Sequence, residues 1–280
     1  MSLVFSIGNL SANLLRKPVS IKKQYGKHFF IGATTGILTS ILWYLLSSIP
    51  QAGYIIFKCI GFYGIVLILF IPLGLFVGTL FYFFGKGSVV FNNTIRLFIA
   101  LFYLDEHRTV PSSIWQGVSR HTYEFLQTGI GYIFTHFRNL FDCVITIDFF
   151  AGVVLANRKL NVDCQKGMTL GNYIMGTNIE AGARNWTYMH EFGHTLQSEC
   201  WGFLYLFIPA LSSGVDMLFN WDKPCSDRPE YILHDIRWFE TGPNRKAANY
   251  FAKHYGVVWD ELENPTSARA LELVILKGKG

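Results

Sequence analysis

Uncharged positions gather in three blocks along this chain. Residues 29–49 run for 21 positions without a charge and are closed by Pro50, and residues 59–84 run for 26, ending in Phe81-Tyr82-Phe83-Phe84. At a rise of about 1.5 Å per residue, each is long enough to cross a hydrocarbon core of about 30 Å. The pattern therefore predicts a transmembrane helical hairpin, 29–49 and 59–84, with the second helix kinked near Pro72. The third block, 201–215, has 15 uncharged residues before Asp216 and is too short to span. It reads as a re-entrant or interface-lying segment kinked near Pro209, with a buried core segment as the alternative.

Between these blocks the spacing changes character. Residues 89–104 are apolar but contain Asn92, Asn93 and Arg96, which suits an interfacial helix or a buried core helix rather than a third span. Ser112 or Ser113 can cap a helix over 114–127, where Ile114, Trp115, Val118 and Phe125 form an apolar face. From residue 143 the composition turns β-branched and aromatic, predicting strands over 144–150, 153–155 and 168–175, the last ending at Gly176, with a polar turn region at 157–166. Asn185 is a fair N-cap for a helix running to about Glu199. Ala247, Ala248, Phe251 and Tyr255 mark a last helical face that stops at Gly256.

Composition agrees with a chain partly out of water: 51% hydrophobic, 16% aromatic and only 15% charged, where a soluble domain has about a quarter charged. The net charge of +5 is concentrated in the first 28 residues, where Arg16, Lys17, Lys22, Lys23 and Lys27 stand with no acidic residue among them. Loops rich in Lys and Arg stay on the cytoplasmic side, so the hairpin would put both this leader and the region after Lys86 in the cytoplasm. No basic stripe with interleaved aromatics follows, which excludes nucleic acid as a partner. The five cysteines (Cys59, Cys143, Cys164, Cys200, Cys225) are odd in number with no C-x-x-C pair, which fits a reduced compartment.

The chemistry sits in His190-Glu191-Phe192-Gly193-His194. On a helix the two histidines are separated by about 6 Å of rise and roughly 40° of azimuth, so both imidazoles can reach one metal ion. Glu191, beside that face, can take a proton from a zinc-activated water and pass it to a leaving amine. Catalytic zinc takes three protein ligands and keeps one position open. Downstream candidates for the third are His234, Asp235, Glu240 and His254, and Tyr231, Arg237 and His254 are candidate oxyanion donors.

With its flanks, this segment resembles the zincin metallopeptidases, whose metal helix carries HExxH and whose glutamate-liganded branch adds a Glu from a later ExxxD motif. The longer string HEFGHTLQS, followed by Gly202-Phe203-Leu204-Tyr205-Leu206, is similar to bacterial membrane proteins with HE(F/Y)GHTxQS and G-x-L-Y-L, over roughly residues 140–256. The resemblance implies Glu240, which opens Glu-Thr-Gly-Pro-Asn244, as third zinc ligand. Asn244 would then stand where the family has Asp, orienting a histidine by hydrogen bond. His234 remains the alternative ligand, because Gly242-Pro243 confines Glu240 to the first turn of its helix. The resemblance also implies that the strand before the metal helix is a sheet edge on which extended substrate pairs.

The expected architecture is α+β: a basic leader (1–28), the transmembrane hairpin (29–84), an interfacial or helical connector (85–140), a zincin-like domain (141–256) with a membrane-proximal segment (201–219), and a tail (257–280). The expected function is a membrane-bound zinc metallopeptidase of the bacterial inner membrane, its catalytic region cytoplasmic, acting on peptides or membrane proteins at the lipid bilayer. Two other functions fit the same residues: a non-catalytic membrane protein with a structural or vestigial zinc site, and a metal-dependent hydrolase of small-molecule amides.

Overall fold

The computed structural model describes residues 19–47, 72–80, 87–141, 144–159, 165–183, 185–219 and 238–257. Its centre is a four-stranded sheet built from two hairpins. Strands β1 (Thr146–Phe150) and β2 (Val153–Arg158) join through Ala151-Gly152. Both turn residues have positive φ, 50° and 77°, the backbone twist that a two-residue hairpin needs. Strands β3 (Lys166–Leu170) and β4 (Tyr173–Thr177) join through Gly171-Asn172, with Gly171 at φ 60°. The single strand predicted over 168–175 is thus two strands, folded back at a turn.

The hairpins meet along a parallel seam between β2 and β4, giving the order β1-β2-β4-β3. Strand β4 is buried throughout, as a central strand covered on both faces must be. Alternate residues of β2 feed two cores. Val153 and Leu155, with Phe150 and Ile174, pack under helices α5 (Trp186–Trp201) and α7 (Trp238–Tyr255) through Tyr188, Met189, Phe192, Ala247, Ala248 and Phe251. Val154 and Ala156, with Ile147 and Tyr173, pack under α2 (Gly87–Ala100) and α4 (Phe125–Phe141) through Leu97, Leu101 and Tyr132. Residues 89–104 therefore contribute to a buried core. Helix α3 (Val110–His121) opens with Pro111 in its first turn instead of a Ser112 or Ser113 cap.

Among the described residues, no helix is long and apolar enough to cross a membrane. This overturns the transmembrane hairpin, and with it the inner-membrane localisation and the cytoplasmic orientation drawn from it. The stretch read as a first span belongs to a longer helix, α1 (Val19–Ser47), one face of which lies along α3. There His28 Nδ1 meets Ser113 Oγ at 3.1 Å, and Gly117 makes room for the Thr35 side chain. Thr35 and Thr39 turn their hydroxyls back to carbonyls of their own helix. Counting uncharged residues cannot separate such a small-residue packing face from a lipid-facing one. Most of 59–84 lies outside the described residues; the described part, 72–80, is helical and abuts α2 where Gly74 meets Thr94. Residues 1–18 of the leader and 258–280 of the tail also lie outside them.

The third block leaves α5 through Gly202, at φ 56°, and runs as a π-helical turn, Leu206–Ala210 with Pro209 inside, into α6 (Leu211–Phe219).

Candidate metal centre

Helix α5 begins where the sequence predicts. The Asn185 side chain accepts from the Tyr188 backbone N–H at 2.9 Å, capping the helix. One turn further in, His190 and His194 point the same way, their rings 4.8 Å apart and nearly perpendicular. Helix α7 crosses this segment at unusually close range: a Cβ on Gly193 would overlap the Pro243 backbone. That crossing lets Glu240, in the first turn of α7, reach the histidines despite the proline three residues later.

The three ligand atoms form a compact triangle. His190 Nε2 and His194 Nε2 are 3.3 Å apart, and Glu240 Oε2 lies 2.9 Å from His194 Nε2 and 3.2 Å from His190 Nε2. Tetrahedral zinc with ligand bonds of about 2.0–2.1 Å would space its ligand atoms by about 3.3 Å. The far ring nitrogens are held by amide oxygens: His190 Nδ1 by Asn244 Oδ1 at 2.7 Å, and His194 Nδ1 by Gln197 Oε1 at 3.2 Å. An amide oxygen only accepts, so each Nδ1 carries a proton and Nε2 is the nitrogen left facing inward to ligate a metal. Two lone pairs and a carboxylate oxygen converging on one point is a donor set that fits a cation such as Zn2+. Burial disfavours the charged form of His190, but the Glu240 hydrogen bond and charge, helped by Glu191 and Asn244, outweigh it and lift its pKa to about 10, so a metal would take the His190 Nε2 lone pair by displacing a proton held against Glu240 Oε2.

Glu191 is buried on the neighbouring face, against β3. Thr169 Oγ1 donates to Glu191 Oε2 at 2.6 Å, and a Cβ on Gly167 would overlap the same carboxyl group. Among the described residues, β3 is an edge strand with no strand paired on its outer side. Val154 N–H bonds to Asn172 O and Asn178 N–H to Arg158 O, so the even-numbered residues of this stretch face β2 and Tyr173, Met175 and Thr177 face β3. In that register Leu170, Met168 and Lys166 pair with β4, and the N–H and C=O groups of Gly167 and Thr169 point away from the sheet.

Of the residues singled out in the sequence, His190, Glu191, His194, Glu240 and Asn244 come together. His254 does not: it lies fourteen residues beyond Glu240 on α7, about 21 Å of helix rise, its ring tilted against His107 at 5.1 Å and Tyr250 at 4.6 Å. Tyr231, His234, Asp235 and Arg237 lie outside the described residues. Sequence reasoning missed Gln197, which its i+3 spacing from His194 could have revealed. It also missed Thr169 and Gly167, which reach Glu191 from a strand more than twenty residues earlier and carry no local signal.

Behind α5, away from His190, His194 and Glu240, lies a second polar cluster. Arg108 pairs with both oxygens of Glu199, and buried Arg120 donates to the carbonyls of Tyr103 and Gly152. Ser198 Oγ donates to Glu124 Oε2 at 3.1 Å, and Gln127 Nε2 donates to Gly202 O at 2.6 Å. Burial pushes the Glu124 carboxyl up to about 7.

Comparison with protein-family models, curated proteins and solved structures gives no match to this chain.

Proposed function

We propose that this chain is a zinc metallopeptidase that hydrolyses peptide bonds in an extended chain laid along the open side of β3. The observation that carries the reading is the 2.9–3.3 Å triangle of His190, His194 and Glu240, with a buried carboxylate, Glu191, beside it. Zinc held by these three side chains would supply Lewis acidity toward water and a peptide carbonyl.

The remaining work falls to the chain's own groups. Asn244 and Gln197 fix the tautomer and tilt of the two imidazoles. Thr169 anchors one oxygen of Glu191 and leaves the other to take the proton released as water adds to the carbonyl carbon. The same oxygen then returns that proton to the departing amine nitrogen. Support for a peptide over a small amide comes from β3, whose outward groups at Gly167 and Thr169 match the backbone of an added strand.

The test is zinc content and turnover of an internally quenched peptide pool by the full chain. Glu191→Gln is expected to keep about one zinc and lose about 10²–10⁴-fold in turnover. His190→Ala is expected to lose both. Turnover surviving in Glu191→Gln would reject the reading.

A further inference from the structure

Among the described residues, one side chain reaches the outer side of β3. Tyr205, buried at 3% exposure on the turn after α5, donates its hydroxyl to Thr169 O at 3.5 Å. That distance is long for an O–H···O bond, usually about 2.7–2.8 Å, so the bond is weak and readily exchanged. Its acceptor is one of the two β3 carbonyls turned away from β4, hence the group to which an added strand would bring an N–H. Thr169 thereby joins two parts of the site: its side chain holds Glu191, and its backbone holds the phenol of Tyr205.

We propose that Tyr205 is exchanged by substrate: an extended peptide delivers its N–H to Thr169 O, and the phenol so released donates to the carbonyl oxygen of the bond being cleaved. The inference rests on the peptidase reading and adds to it the oxyanion donor that His254 is too distant to be. Only hydrogen bonds change hands, and the phenol keeps its proton throughout.

The surroundings suit such a part. Burial, with the nearby negative charges of Glu191 and Glu240, pushes the Tyr205 phenol well above its ordinary value, so it remains a donor across the neutral range. The base of its turn is fixed to α5: Gly202 N–H bonds to Ser198 O, Gln127 holds Gly202 O, and Tyr205 N–H bonds to the same Gly202 O at 3.0 Å. Beyond Tyr205 the chain continues as the wider π-helical turn, a geometry frequent at functional sites. A side chain on a fixed base beside irregular backbone can change partner without refolding its helix.

The experiment compares wild type and Tyr205→Phe as zinc-loaded full chains on a peptide the wild type cleaves. Expected is a fall in kcat of about 10²–10³-fold with zinc content and Tm unchanged, the size seen on removing one oxyanion donor. KM is expected to stay level or fall, because Thr169 O has lost its competitor. A non-cleavable analogue of the same peptide should bind Tyr205→Phe several-fold more tightly than wild type. A kcat within about threefold of wild type, or weaker analogue binding at unchanged Tm, overturns the role of Tyr205 while leaving the peptidase reading in place. Wild-type turnover no higher than that of Glu191→Gln overturns both.

Discussion

On one side of α5, His190, His194 and Glu240 turn their electron pairs toward a single point; on the other, Arg108, Arg120, Gln127 and Ser198 set donors against carboxylates and carbonyls. Both clusters are largely buried and both join α5 to its neighbours. The rear cluster is complementary within itself, so it can hold the helix without any ligand. The front one gathers acceptors and becomes complementary only to a cation. Burial of polar groups alone does not mark a site; convergence of like groups does.

Cutting each cluster once should separate the two roles. His194→Ala removes one of three ligands, and zinc affinity is expected to fall on the order of 10³-fold, roughly 4 kcal/mol, with the fold retained. Competition against a chelator measures it. Arg120→Ala should do the opposite, costing about 3–5 kcal/mol of folding stability by stranding buried acceptors while a folded fraction keeps its zinc affinity. Equal effects of the two variants on both quantities would erase the contrast.

The rear cluster also carries a pH dependence. The folded-state pKa of Glu124, about 7, lies above its ordinary value of 4.5, so the native state holds that proton more tightly than the unfolded chain does. This contribution to stability is full below about pH 4.5 and is lost as pH rises toward about 7, by at most about 3 kcal/mol. Glu124→Gln should flatten that slope in urea unfolding and leave the variant more stable than wild type at pH 8. The smallest expected effect sharpens the front cluster: Asn244→Ala should weaken zinc about 10–100-fold by freeing the His190 ring, without moving Tm beyond that loss of zinc.

The convergence of His190, His194 and Glu240 was legible because helical periodicity is local. His190, Glu191 and His194 lie within two turns of one helix, and Glu240 with Asn244 repeat the i, i+4 step in another. What joins the two helices, the Gly193–Pro243 approach, is a contact across fifty residues that no spacing announces. The β3–β4 hairpin was hidden because Gly171-Asn172 sits inside an otherwise apolar run, and two residues suffice to reverse the chain only when the first can adopt positive φ. Thr169 was hidden in turn, since its meaning depends on the edge position that this turn creates. The apolar run at 29–49 was over-read for a related reason: hydropathy sums over all faces of a helix, whereas the glycines and threonines of one face decided its packing on α3.

The order of the parts along the chain sets the order in which the proposed centre could be assembled. Each hairpin closes over two residues and forms on a microsecond scale, and the His190–His194 step arrives with its own helix. Glu240 is 46 residues from His194, and its helix packs on the core that residues of β2 and β4 supply. Non-local contacts of that kind are slow to form. During synthesis the two histidines emerge well before the glutamate, so an unfinished chain would offer a metal two ligands and no finished triangle, and on the proposed function hydrolysis would be deferred until the fold that confines it is complete.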